Sequence, residues 1–162
     1  MQGANRIMSS LPKSLRDYIK LTAPEDVTAL ISPLTRQLGI NYFLFVREFN
    51  NGNRMWLTNN GPWEEHFHKK EYYQISAFEN SKEQRFSGIY PWYCLKGQAV
   101  FEDARNFFNI HNGITILEKS RDKSDFFHFA VSRNNIHGEN ACAEILKHYV
   151  FSLVFLETKP KI

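Results

Sequence analysis

The side chains best suited to chemistry cluster in Trp63-Glu64-Glu65-His66-Phe67-His68, which holds a pair of carboxylates and a pair of imidazoles. Paired carboxylates serve general acid–base catalysis and paired histidines hold metal ions, provided that they converge. On a helix, histidines at i and i+2 face different directions, and adjacent glutamates diverge into solvent. No metal site is expected here, and His111, His137 and His148 are scattered. Ser9, Ser10, Ser76 and Ser87 sit in no GxSxG elbow, and neither Cys94 nor Cys142 has a histidine that the sequence assigns as its base. A phosphate-binding glycine loop is also missing. The expectation is a non-enzyme with no catalytic residues, no metal and no cofactor.

Charge narrows the partners. The 162 residues carry 20 Lys plus Arg against 17 Asp plus Glu, a formal charge of +3, with the signs interspersed. The densest basic spots, Lys69-Lys70 and Lys159 with Lys161, are too short and isolated for a DNA-binding face. Two cysteines without CxxC spacing and an N-terminus, MQGANRIMSS, without an apolar signal core point to a reducing cytoplasm. The most membrane-like stretch, Tyr149 to Leu156, is far below the roughly 20 residues of a spanning helix, so no membrane partner is expected. The 14 phenylalanines supply rigid area that either fills a core or lines an apolar pocket.

The elements that would position these residues follow from periodicity. Leu11 to Leu21 suits a short helix, and Thr22-Ala-Pro-Glu25 reads as a capping box for a second. In that second helix Val27, Leu30, Ile31, Leu34 and Leu38 share a face, Pro33 should kink or interrupt it, and Gly39 ends it. Ile40 to Phe49 then alternates as a strand, with Asn50-Asn-Gly-Asn53 turning the chain into Met55-Trp-Leu-Thr58. Tyr42, Leu44 and Val46 point one way, Phe43 and Phe45 the other, so both faces of the sheet are covered.

Pro62 to Tyr72 reads as a helix with Trp63, Phe67 and Lys70 on one side, Gly88 to Trp92 as an irregular strand or loop, and Val100 to Phe108 as another helix. A second hairpin joins Gly113–Leu117 to Phe126–Val131 through the turn Ser120 to Lys123. Its second strand places Phe127, Phe129 and Val131 on one face and Phe126, His128 and Ala130 on the other. A closing helix spans about Glu139 to Leu156, with Ala141, Ile145, Tyr149 and Ser152 or Leu153 in its stripe. The fold class is α/β (α+β): an α-β-α sandwich with a mostly antiparallel sheet. Residues 1–157 form a single domain, and 158–162, Pro/Lys-rich, read as the start of a linker or tail.

Leu38-Gly39-Ile40-Asn41-Tyr42-Phe43, Asn59-Asn60-Gly61-Pro62-Trp63, Tyr72-Tyr73-Gln74-Ile75-Ser76, Asn112-Gly113-Ile114-Thr115 and His128-Phe129-Ala130 follow one another in an order and spacing that resembles LuxR-type autoinducer-binding domains. The likeness covers roughly Val27 to Leu156. It implies a GAF/PAS-like sensor fold whose pocket, between sheet and helices, takes a small apolar signal molecule such as an acyl-homoserine lactone or a different ligand. It further implies a homodimer, and DNA contact only through a C-terminal helix-turn-helix lying outside these 162 residues.

Carried over by position, Trp63 matches the tryptophan that donates to the lactone carbonyl, Trp92 a second pocket tryptophan, and Gly113 the glycine opening a central strand. Leu44, Val46, Phe101, Thr115, Phe126 and His128 match pocket walls. Ser76 stands where that family has an aspartate, and Asn59 and Phe67 where it has tyrosines. A neutral acceptor at position 76 makes a bond worth about 1 kcal/mol against roughly 1.5–3 for an ionised one. His128 and Phe126 are larger than the usual wall residues, implying a shortened or different cavity. From periodicity alone, core packing remains the ordinary reading of Trp63 and the Phe-rich faces. The expected function is thus a ligand-sensing regulatory domain, with a ligand-free protein-interaction or dimerisation module as the alternative.

Overall fold

The computed structural model describes residues 13–51, 54–75, 86–95, 97–135, 143–145 and 147, with the side chains of the first helix described from Pro24 onward. That helix, α1, is continuous over Lys13–Leu38. Thr22-Ala-Pro-Glu25 therefore starts no second helix, and Pro33 does not end it. Each proline removes one main-chain donor, and at Pro33 the affected turn is exposed, so water can serve the carbonyl of Ala29. Inside the helix the Thr28 hydroxyl donates to the Pro24 carbonyl at 2.7 Å.

Gly39 does end α1, with φ at +69°, and its N–H donates to the Thr35 carbonyl at 3.0 Å. The Asn135 amide donates to the Leu38 carbonyl at 3.3 Å and fills the space where a Cβ on residue 39 would stand. Val27 and Ile31 are buried against the sheet and Leu34 and Leu38 pack beside them. Leu30 departs from the expected face, being 73% exposed.

Five antiparallel strands follow in the spatial order β2-β1-β5-β4-β3: β1 Ile40–Phe49, β2 Arg54–Thr58, β3 Gly88–Pro91, β4 Asn112–Lys119 and β5 Lys123–Val131. Both expected hairpins are present. Register sets Leu44 opposite His128 and Val46 opposite Phe126 on β5, and Thr115 opposite His128 across β4 and β5. One face carries Phe43, Phe45, Phe127 and Phe129 against α1, together with Ile40, Ile114, Ile116 and Val131, on which Ile145 of the closing segment packs. Tyr42 and Leu44 occupy the other, beneath α2 (Gly61–Lys69) and α3 (Ala99–Phe107).

The helix expected to reach Tyr72 stops at Lys69. Glu71 takes a left-handed φ of 54° and Tyr72–Gln74 continues as a 3-10 turn; of the expected face, Trp63 is buried while Lys70 is exposed. Residues 143–145 and 147 are helical, as expected of the closing helix, whose remaining positions, including Ala141, Tyr149, Ser152 and Leu153, lie outside the described residues. At the far end of the sheet Arg47 grips the buried Asp125 with two bonds of 2.6 Å. Chiefly through that donation, the Asp125 carboxyl is held below its ordinary range. No helix among the described residues is long and apolar enough to cross a membrane.

Candidate ligand-binding site

The site grows from the start of α2. The Asn60 side chain accepts from the Trp63 N–H at 3.1 Å, and Pro62 lies in the first turn, where it forfeits no intrahelical bond. This cap turns Trp63 toward the sheet, where it is buried among Phe67, Tyr72 and Phe108 at ring separations of 6.1, 6.4 and 5.1 Å. Below it, Tyr42 donates to Glu64 Oε1 at 3.5 Å. Burial, and then the Glu64 charge, push the Tyr42 hydroxyl well above its ordinary range, and a hydrogen bond from Trp63 pulls it partly back.

A second polar group occupies the middle of the sheet. Trp92 Nε1–H donates to Thr115 Oγ1 at 2.8 Å, and that oxygen lies 2.8 Å from His128 Nδ1. Thr115 is fully buried. Gly113 supplies the bed for Trp92, since a Cβ there would stand 2.5 Å from the indole and 2.7 Å from the Phe129 carbonyl. Phe101 packs on Trp92 at 5.3 Å, Tyr42 approaches it at 6.2 Å, and Phe126 stacks parallel to His128 at 6.2 Å.

A third cluster ties the covering elements together. Asp103 of α3 accepts from the Tyr72 hydroxyl at 2.6 Å and pairs with His66 Nε2 at 2.7 Å through the same oxygen. Both bonds hold its carboxyl below the usual range, Tyr72 contributing more. Tyr72 is pushed up to about 12, first by burial and then by its bond to Asp103. Among the described residues no group of three or more His, Cys, Asp or Glu could hold a metal ion.

Trp63, Phe67, Trp92, Phe101 and Leu44 come together in one cluster, with Thr115, His128 and Phe126 joined to it through Trp92. Val46 lies on the same face of β1, in register with Trp56 and Phe126. Asn59 is used differently. Its amide accepts from the Phe43 N–H at 2.8 Å and donates to the Asn41 carbonyl at 3.0 Å, fastening the end of β2 to β1. It lines a groove of about 480 Å³ beside α1, with Pro24, Glu25, Thr28, Ala29 and Ser32. Ser76 lies outside the described residues. Sequence reasoning missed Tyr42, Tyr72 and Asp103; the helical phase of Val100 and Ala104 gave no hint that Asp103 reaches two other elements.

No family model and no curated protein sequence matches the chain. Solved structures do. SdiA in complex with octanoyl-rac-glycerol superposes with a TM-score of 0.54 at 20% identity, covering 76% of this chain. A crystal structure of Escherichia coli SdiA gives 0.55 at 17% identity over 92% of this chain and 70% of its own. CepR2 of Burkholderia cenocepacia, an N-acylhomoserine-lactone-dependent LuxR family transcription factor, gives 0.55 at 15% identity over 83% of this chain and 94% of its own. The fold is that of a LuxR-type ligand-binding domain. The chain spans 56% of the SdiA chain that holds octanoyl-rac-glycerol. Within the LuxR-type fold, the aromatic cluster occupies the layer between the sheet and helices α2 and α3.

Proposed function

We propose that this chain is a ligand-sensing regulatory domain that takes a small apolar signal molecule, an acyl-homoserine lactone or another acyl compound, between the sheet and helices α2 and α3. The observation that carries the reading is the placing of polar atoms within an apolar wall: the Trp63 and Trp92 indoles, the Thr115 hydroxyl and His128, framed by Leu44, Phe67, Phe101 and Phe126. Few convergent polar groups in an apolar surround is the usual make-up of a small-molecule site. The fold's likeness to an SdiA structure that holds octanoyl-rac-glycerol supports it. Val46 completes the wall, and Ser76 contributes at the head-group end. Residues 1–157 make up the sensor domain, and 158–162 are the start of a linker or a C-terminal tail. The working regulator is a homodimer, touching DNA only through a segment outside this chain.

A ligand acts by linkage. Binding the folded state alone adds RT ln(1 + [L]/Kd), about 2.7 kcal/mol at roughly 100 Kd. Thermal melts and calorimetry with N-octanoyl-homoserine lactone and octanoyl-rac-glycerol test this. A raised Tm supports the reading, and Trp63→Phe should weaken binding by about 1 kcal/mol while leaving most of the packing intact. Melts that neither compound moves favour the second reading, a ligand-free interaction module. That reading has its own support, because the Trp92 indole, the Thr115 hydroxyl and His128 already bond one another within the chain.

A further inference from the structure

The outer side of β2 meets no strand among the described residues, and its main chain is oriented in a definite pattern. The Asn59 N–H donates to the Phe43 carbonyl at 3.3 Å. In an antiparallel ladder the main-chain groups of alternate residues point to the same side. Met55 and Leu57, in register with Arg47 and Phe45, therefore bond inward to β1, whereas the N–H and C=O of Trp56 point out of the sheet edge. Met55 and Leu57 share the face of Phe45, on the α1 side, and are 40% and 38% exposed. Asn59, just past the end of β2, lines the groove along the α1 flank.

We propose that this edge is where the chain self-associates, β2 of one copy pairing antiparallel with β2 of a second across a twofold axis at Trp56. The occupant is a second copy because Arg54-Met-Trp-Leu-Thr58 is its own complement. Centred on Trp56, the pairing sets Met55 opposite Leu57 of the second copy, and Leu57 opposite its Met55. The outward groups of the two Trp56 residues exchange a pair of hydrogen bonds. Each Arg54 falls opposite Thr58, so the two guanidiniums stand about 13 Å apart along the strands, beyond a Debye length at physiological salt. Each is also neutralised by its own Glu48. A shared twofold surface of this kind closes the assembly at a dimer. This assignment rests on the homodimer named above and is independent of whether a ligand binds.

Sedimentation velocity on the 162-residue chain should show a concentration-dependent dimer. Leu57→Asp should weaken it at least about tenfold, because one substitution spoils contacts on both sides of the axis. The far-UV spectrum should not change. Register is read by disulfide trapping in a Cys94→Ser, Cys142→Ser background. Met55→Cys mixed with Leu57→Cys should cross-link, since a non-hydrogen-bonded pair holds its Cα atoms about 4.5 Å apart. Either variant alone should not, its cysteines being roughly 8 Å apart and past bridging distance. A chain that stays monomeric overturns both the dimer and the assignment. A dimer that Leu57→Asp leaves intact, or single-cysteine variants that cross-link as readily as the mixture, overturns the β2 edge alone.

Discussion

Thr115→Val removes the group on which the central polar chain turns. The Thr115 hydroxyl accepts from Trp92 and lies 2.8 Å from His128 Nδ1. An indole nitrogen only donates, so the hydroxyl hydrogen is left for His128, whose Nδ1 then accepts. Valine keeps the volume and removes the partner of Trp92 Nε1 and of His128 Nδ1 at once. An unsatisfied buried donor or acceptor costs about 1–3 kcal/mol. Trp92 and His128 are each only half-buried, so water meets part of the need and the low end applies, about 2 kcal/mol for the two together. Thr115→Ser is the control: it keeps the hydroxyl and loses one methyl, costing about 1 kcal/mol. Urea unfolding of the three proteins with unchanged m-values measures the difference, which corresponds to a Tm drop of about 4–8 °C for valine. A valine variant as stable as the serine variant would refute the view that this hydroxyl satisfies two rings.

Gly113→Ala should destabilise by about 2–3 kcal/mol and shift the tryptophan emission, because the new Cβ meets the Trp92 ring on one side and the Phe129 carbonyl, which cannot step aside, on the other. Ile31→Ala should cost about 2–4 kcal/mol and Leu30→Ala less than about 0.5, the two being neighbours of similar size on opposite sides of the burial boundary. Since the Asp125 carboxyl is held below its ordinary range by Arg47, the stability it lends is present above about pH 4, the unfolded value, and is lost as pH falls through its lower folded value. Asp125→Asn should therefore flatten the acid limb of a stability–pH profile measured by urea melts, and an unchanged limb would show that other carboxylates set it.

The sheet was legible because its strands alternate between two apolar faces, and parity alone grouped Leu44 with Val46 and Phe126 with His128. Polar turns at Asn50 and Ser120 fixed both hairpins. What escaped was decided by distance along the chain. Asp103 meets partners 37 and 31 residues away, and nothing local distinguishes it from any half-exposed helical aspartate. The continuity of α1 escaped for another reason. A capping-box pattern describes what a segment does when isolated, and here the helix is carried through Pro24 and Pro33 by its docking on β1 and β2. Leu30 shows the same limit, since hydrophobic spacing gives the stripe but not its edges.

The two functional readings differ in what must be displaced. A ligand that enters beside Trp92 has to part rings now in contact and replace or break bonds such as Trp92 to Thr115 and Thr115 to His128. Each exchanged hydrogen bond has a net worth of about 1 kcal/mol, more if an atom stays buried and unpaired. An acyl chain offsets this at about 0.8 kcal/mol per buried CH2, so a butanoyl chain roughly breaks even while an octanoyl chain gains several kcal/mol. Acyl length should therefore govern affinity. Across N-butanoyl-, N-hexanoyl- and N-octanoyl-homoserine lactone, each added pair of methylenes should tighten binding by about 15-fold in calorimetry, as long as the chain stays within the aromatic layer. Affinities that do not change with length would mean that the layer does not open, and that Trp63, Trp92 and Thr115 hold the core shut rather than a ligand in place.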